Sequence, residues 1–199
     1  VWKGLGYWRR AKHLKDATKT IVKNYNGTFP KDIKILESLP GIGPYTARAL
    51  ACFAWESHEP FIDTNIRRVY LHFFFPRQKN VSDKDILKVA EKAVWTKNPR
   101  EWHYALFDYG ALVLKDKTIN KRSKSYSKQS PFKRSFRSFR TRVIRTILDE
   151  PRKKISEEKI KNLLLRLLRQ EEADYVPETI LASLEKDGLI KKRGLFYVV

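Results

Sequence analysis

Cysteine and methionine are almost missing from this sequence. Its 199 residues include one cysteine, Cys52, and no methionine. A single thiol cannot form an intrachain disulfide, a four-cysteine zinc site or a cysteine-held iron–sulphur cluster. We therefore expect a reducing, intracellular setting, with Cys52 as a small core residue. A chain that begins with Val1 predicts either a non-standard start codon or a natural beginning further upstream.

Long hydrophobic runs are absent as well. No apolar stretch approaches the ~18 residues that cross a membrane, and the first four residues lack the apolar core and cleavage site of a signal peptide. These absences predict a soluble cytoplasmic protein with no membrane partner.

Acidic residues are few. The 22 Asp and Glu face 42 Lys and Arg, which gives a net charge of +20 and predicts nucleic acid as the partner and a nucleoid-associated location. Part of the excess lies between residues 115 and 145, where 12 basic residues accompany the single acid Asp116. Because residues 120–128 are too polar to bury, we expect 115–134 to form a basic linker that is mobile or ordered by DNA.

The linker separates two predicted domains of a mainly α-helical fold. Residues 1–114 show apolar residues at helical spacing, interrupted by Gly and Pro, and no alternating strand. Residues 135–199 predict three helices and a terminal hairpin, an order typical of a winged-helix-like domain that binds DNA or protein. Both partners stay open, because three acids on or beside its third helix repel phosphate: Glu178, Glu185 and Asp187.

The loop within Leu39–Ala47 is the sharpest local motif. Its two glycines, between predicted helices, allow a tight turn and a close backbone approach, and the free N–H groups at the next helix start can hold a phosphate. A helix-hairpin-helix DNA grip has this pattern, and nearby Lys31 and Lys34 favour it, although an ordinary Gly-rich turn explains the same loop. The candidate DNA-binding residues here are Pro40, Gly41, Ile42, Gly43, Thr46 and Arg48.

A second motif, Phe61–Val69, places a carboxylate just before a predicted helix. Asp63 at this position can be a catalytic group, or it can serve only as the helix N-cap. Arg67 and Arg68 follow it, and we expect both to contact phosphate or solvent.

Together with the Gly-Leu-Gly-Tyr segment inside Trp2–Leu14, these motifs resemble the helix-hairpin-helix base-excision DNA glycosylases, and in particular the adenine DNA glycosylases (MutY-like enzymes). The resemblance covers residues 1 to about 114. It implies a monofunctional, monomeric enzyme that swings a mispaired base out of double-stranded DNA and hydrolyses its N-glycosidic bond. The implied base is adenine opposite 8-oxoguanine or guanine.

The resemblance also implies roles for individual residues. Asp63 would be the catalytic carboxylate that stabilises positive charge on the sugar. Tyr45 and Asn65 would line the base or sugar pocket, and Tyr7 would be an aromatic wedge, although capping explains Asn65 and packing explains Tyr7 equally well. Tyr45 stands where bifunctional relatives similar to endonuclease III have a lysine, so no Schiff base can form there. Mismatch thymine glycosylases share this tyrosine and remain the alternative.

The chain departs from the adenine glycosylase pattern at three points. The family's proton-donating glutamate lies upstream of the Gly-Leu-Gly-Tyr segment, outside this sequence, so a catalytically inactive DNA-binding protein is a further alternative. Residues 135–199 are too few and too helical for the Nudix-like domain that reads 8-oxoguanine. After Asp108–Ala111, the four positions of the family's iron–sulphur cysteines hold other residues, which predicts no metal and no cofactor: Leu114, Lys121, Lys124 and Ser130.

Overall fold

Helices dominate the computed structural model of the protein, which describes residues 7–128 and 130–199. The mainly helical fold class is therefore confirmed. Two compact units are present: residues 17–128 form the first unit, and residues 1–16 with 129–199 form the second. Residues 1–6, which include most of the Gly-Leu-Gly-Tyr segment, and Gln129 lie outside the described part. In that part, no helix has both the length and the apolar character needed to span a membrane.

The first unit is built from helices whose ends are marked by polar caps and prolines. Asp32, Ser82 and Asn98 accept hydrogen bonds from first-turn amides, and two helices begin at proline. The helices are α1 (Trp8–Tyr25, of which residues 17–25 belong here), α2 (Ile33–Ser38), α3 (Pro44–Trp55), α4 (Thr64–Phe73), α5 (Asp83–Ala93) and α6 (Pro99–Asp108), followed by a π-helical turn (Tyr109–Val113) and a 3-10 helix (Lys117–Arg122).

Two apolar clusters hold these helices together. Leu36 and Leu39 pack with α1 and α3 in one cluster. The other centres on Phe61 and on the buried faces of α4 and α5, with Ile66 and Ile86 fully buried. The second cluster therefore underlies the segment that carries Asp63.

The first unit extends beyond residue 114, into the segment 115–134 that the sequence predicted to be a linker. The first half of this segment belongs to that unit, where Asn120 and Ser123 are buried. Backbone hydrogen bonds of 2.9 Å join Val81 to Arg122 and Lys124, and these pairs satisfy polar groups that the sequence left to solvent. Packing of main chain, which composition does not reveal, explains the difference from the predicted boundary at residue 114.

The second unit has one strand more than predicted. Its elements are α7 (Phe136–Asp149), β1 (Lys154–Ser156), α8 (Glu157–Gln170), α9 (Pro177–Lys186), β2 (Lys191–Arg193) and β3 (Phe196–Val198), and the sheet order is β1-β3-β2, all antiparallel. The predicted three helices and hairpin are present, and β1 is the addition. Residues 7–16 also join this unit, because Trp8 packs against its core and Arg9 pairs with Asp187 at 3.8 Å.

Candidate active site and DNA interface

The α2–α3 hairpin presents backbone rather than side chains to solvent. Gly41 adopts a left-handed conformation, with φ of 76°, and the Ile42 amide donates to the Leu39 carbonyl at 3.1 Å to close the turn. Gly43 is the N-cap of α3 and has no side chain to occupy the first-turn amides. These amides are therefore available to an anion.

Gly43 has room around it. A Cβ atom built there would meet nothing within 4 Å, and its φ of −92° suits any residue. The fold itself thus does not require glycine at this position. A close ligand, such as a phosphate group, would require it.

Arg48 is occupied by partners inside the first unit. Its guanidinium lies 2.7 Å from Glu37 and 3.5 Å from Glu59 and also donates to the Pro44 carbonyl at 3.2 Å. These contacts tie α2 to α3. The structure therefore gives Arg48 a bracing position in the hairpin, and its predicted DNA contact stays a prediction.

Asp63 caps α4 with one carboxylate oxygen and leaves the other open. Oδ1 accepts the amides of Asn65 and Ile66 at 2.9 and 2.7 Å. Oδ2 accepts no hydrogen bond from the residues that the structure describes. Burial raises the pKa of the Asp63 carboxyl above its usual value, against the opposing effects of the two amides and of the charges of Arg67 and Arg68. The cap and a free acceptor atom therefore coexist in one side chain.

Tyr45 lies on the first turn of α3, close enough to Asp63 for that charge to be felt. Burial and the Asp63 carboxylate raise the pKa of the Tyr45 hydroxyl, so it stays protonated at neutral pH. Its ring meets Phe61 edge-to-face at 5.7 Å and remains 44% exposed. The structure thus brings the predicted pocket residues Tyr45, Asp63 and Asn65 together within the first unit.

A buried histidine that the sequence analysis did not single out packs against Phe61, the ring that contacts Tyr45. His103 stacks on Phe61 with ring centroids 4.2 Å apart, and its Nδ1 lies 2.7 Å from the Pro99 carbonyl and 3.5 Å from Cys52. Burial lowers the pKa of His103 and raises that of Cys52 to about 11, so both are neutral at pH 7. The prediction that Cys52 is a small core residue is confirmed.

The backbone at the start of α4, two residues after Asp63, packs against another stretch of main chain. Gly110, in the π-helical turn, approaches so closely that a Cβ atom there would overlap the Asn65 carbonyl. Gly110 belongs to the Asp108–Ala111 segment, whose glycine was the available sequence signal. Its role is to let two stretches of main chain touch.

The expectation that Arg67 and Arg68 contact phosphate or solvent is wrong. Arg67 forms a two-pronged ion pair with Asp83, with both distances 2.9 Å. Arg68 is 4% exposed and donates to the carbonyls of Gly110 and Leu114. The carbonyl groups that accept these hydrogen bonds lie far along the chain from Arg68, so the pattern of residues within α4 could not predict the contacts.

Asn120 extends the Arg68 network to the start of α4. With its amide oriented to suit both neighbours, Asn120 donates to the Thr64 carbonyl at 3.3 Å and accepts from Arg68 at 3.1 Å. The segment after α6 is thus bonded to the residue that follows Asp63.

The residues at the family's cluster positions do not fit an iron–sulphur cluster. A leucine, two lysines and a serine supply no thiolate, which is the ligand such a cluster needs: Leu114, Lys121, Lys124 and Ser130. Hydrogen bonds from Arg68 and Arg122 secure this segment instead.

The predicted wedge lies in the other unit. Tyr7 precedes α1, is 64% exposed and has a φ of 47°, in the left-handed region. The wedge role of Tyr7 stays a prediction.

Comparisons with known proteins agree with the motifs. Residues 24–53, which include α2 and α3, match the helix-hairpin-helix motif. The adenine DNA glycosylase of Mycobacterium tuberculosis is 53% identical over 69 residues, covering 35% of this chain and 23% of the relative. That of Arabidopsis thaliana is 31% identical over 161 residues, covering 78% and 24%. The thymine/uracil-DNA glycosylase of Methanothermobacter thermautotrophicus is 29% identical over 107 residues, covering 53% and 48%.

These matches confirm the resemblance to adenine DNA glycosylases and to the wider set of helix-hairpin-helix DNA glycosylases. The chain spans about a quarter to a half of the length of these curated relatives.

Proposed function

We propose that this chain carries the catalytic carboxylate and DNA grip of a monofunctional base-excision DNA glycosylase. The observation that carries the proposal is Asp63, whose Oδ1 is fixed by two backbone amides while its Oδ2 accepts no hydrogen bond from the described residues. Burial and the charge of Asp63 raise the pKa of the Tyr45 hydroxyl. The helix-hairpin-helix loop belongs to the same unit. Double-stranded DNA is the proposed partner.

The chemistry follows from the charge that develops when a base leaves the sugar. Breaking the N-glycosidic bond leaves positive charge on the sugar, and a preorganised carboxylate stabilises that charge without reorganising. Asp63 meets this need because the cap fixes its position. The base departs with the electron pair of the broken bond and takes up a proton, while a water molecule adds to the sugar carbon and gives up a proton, so the net reaction is hydrolysis.

Tyr45 restricts the reaction to hydrolysis. A phenol has no amine nitrogen and so cannot form a Schiff base with the sugar, as a lysine amine would. The half-exposed ring can instead lie against an extruded base or sugar. The proposed product is thus an abasic site in an intact strand.

Three glutamates in the first unit are engaged in ion pairs, and we assign proton donation to none of them. Glu37 and Glu59 pair with Arg48, and Glu56 lies 3.5 Å from Arg100. Each of these carboxylates therefore has an arginine partner within the unit.

Adenine opposite 8-oxoguanine or guanine is the proposed target, because the relatives from Mycobacterium tuberculosis and Arabidopsis thaliana are adenine DNA glycosylases. Thymine opposite guanine is the second candidate, favoured by the thymine/uracil-DNA glycosylase match. Both share the hydrolysis proposed for Asp63.

Single-turnover base release from matched duplexes tests the proposal. Duplexes would carry adenine opposite 8-oxoguanine, adenine opposite guanine, or thymine opposite guanine, and alkaline cleavage would reveal abasic sites. Because the chain spans only part of its relatives, a version extended at both ends would be tested alongside it. We expect release of adenine before thymine. Tight binding without release from any duplex, by either version, would contradict the proposal and favour the non-catalytic DNA-binding alternative.

A further inference from the structure

The small sheet of the second unit has two chemically different faces. Strand register places Lys154 and Lys191 opposite Val198, and Ser156 and Arg193 opposite Phe196. Because paired residues share a face of a sheet, these side chains lie on one side, which we call the outer face. The other side carries Ile155 and Tyr197, which are 3% and 4% exposed and belong to the core.

The outer face is strongly basic. Lys154, Lys191 and Arg193 are exposed, and none of the three forms an ion pair with an acid in the described part of the chain. Lys192, whose side chain is on the opposite side, is the lysine of this hairpin that pairs with Glu157. The three outer cations therefore present charge that no acid among the described residues neutralises.

Apolar groups accompany these cations. The Nζ atom of Lys154 lies 3.7 Å from the centroid of the Phe196 ring, and Leu195, in the turn between β2 and β3, is 75% exposed. Because Lys154 covers the Phe196 ring, this ring is not an open platform for stacking a base from a single strand. The arrangement favours contact with a duplex backbone over base stacking.

Helix α9 offers the opposite charge. Its exposed residues include Glu178 and Glu185, against the single cation Lys186. Lys161 neutralises part of this acidity, at 3.2 Å from Glu178. A polyanion approaching the second unit would thus be repelled by α9 and attracted by the outer face.

We propose that the outer face of this sheet is a second DNA-binding site, at which Lys154, Lys191 and Arg193 contact the phosphates of a duplex. Lys154 and Lys191 flank the central strand, which separates their strands by about 10 Å. The contacts are to the backbone and carry no base recognition. This site rests on the proposed function, whose partner is double-stranded DNA, and it extends DNA contact to the second unit.

The test is the salt dependence of binding to an undamaged duplex by the full chain. A variant with Lys154→Gln, Lys191→Gln and Arg193→Gln is compared with a control that loses the same charge from α8 and α9 through Arg166→Gln, Arg169→Gln and Lys186→Gln. Each phosphate contact contributes about 0.9 to the slope of log affinity against log salt. We expect the slope to fall by about 2 to 3 in the sheet variant and by less than about 1 in the control.

Equal slopes in the sheet variant and the unaltered protein would overturn the proposal, as would equal losses in both variants. Equal slopes would indicate that the outer face binds an acidic protein instead of DNA. Equal losses would show that net charge, and not this face, determines the salt dependence. Circular dichroism checks that both variants stay folded. Because the duplex is undamaged and no base is released, failure here is distinguishable from failure of the glycosylase proposal.

Discussion

At the scale of single residues, two glycines near the candidate site have different physical reasons to be glycine. Gly110 touches the main chain of Asn65, whereas Gly43 has open space around it. One is required by the fold, and the other is available for a ligand. Matched alanine substitutions therefore separate stability from DNA binding.

Gly110→Ala is expected to destabilise the first unit. The new Cβ atom would overlap a backbone carbonyl, which cannot move without shifting the start of α4. The cost should be about 2 kcal/mol or more in the free energy of unfolding. Urea denaturation measures it, and a stability equal to that of the unaltered protein would show that the close contact is absent in solution.

Gly43→Ala should leave folding almost unchanged and weaken DNA binding. Its φ of −92° suits alanine, so the change in unfolding free energy should stay within about 1 kcal/mol, the scale of an N-cap exchange. The methyl group would stand where a phosphate must approach the α3 amides. We expect an affinity loss of about tenfold in a fluorescence anisotropy titration, and unchanged affinity would count against the hairpin as a phosphate grip.

His103 predicts a loss of stability at mildly acidic pH. Burial lowers its pKa in the folded state, so below the unfolded value of about 6.5 the unfolded chain takes up a proton first. Stability is thus undiminished above pH 6.5 and falls as the pH drops toward the folded pKa.

Unfolding free energies at pH 7.5 and pH 5 measure this dependence. His103→Gln should reduce the difference between the two pH values, whereas His58→Gln, at an exposed position, should preserve it. An unchanged difference in His103→Gln would mean that His103 is not buried as a neutral ring.

At the scale of elements, apolar spacing interrupted by Gly and Pro predicted the helices of residues 1–114, because local chemistry largely determines where a helix forms. In the structure, α3 and α6 each begin at a proline, Pro44 and Pro99. Strand β1 escaped prediction, because three residues form a strand only through pairing with β3, far along the chain. The buried position of Arg68 escaped for the same reason, since its acceptors lie on other elements.

The residues of the candidate site also separate into those with a local sequence signal and those placed only by tertiary packing. Asp63 and Tyr45 became candidates because short motifs of consecutive residues carry the resemblance to the glycosylases, and their roles stay predictions. The packing of His103 and Gly110 behind them depends on the meeting of α6 with α4 and could not be derived from spacing alone.

The segment after α6 is expected to fold without iron. Arg122 donates to the Phe75 and Pro76 carbonyls and so holds this segment where no thiolate is available. We expect purified protein to contain no stoichiometric iron and its melting temperature to be unchanged by a chelator. Arg122→Gln should lower stability by about 1 to 2 kcal/mol. Bound iron whose removal unfolds the protein would contradict this account.

At the scale of the whole molecule, two units share a net charge of +20. The first unit contains the helix-hairpin-helix motif and the candidate carboxylate Asp63, and the second has a basic sheet face. A strongly positive chain binds many polyanions, so affinity alone does not identify the function. Chemistry at Asp63 distinguishes a glycosylase from a general DNA-binding protein.

The most direct test compares Asp63→Asn with Asp63→Ala in single-turnover base release from the duplex from which the unaltered protein releases a base fastest. Asparagine caps a helix about as well as aspartate, whereas alanine loses about 1 kcal/mol. If the carboxylate is catalytic, both variants lose at least about 100-fold in base release, and Asp63→Asn keeps its stability and DNA affinity. Base release by Asp63→Asn at nearly the unaltered rate would show that Asp63 is only a cap and would contradict the account.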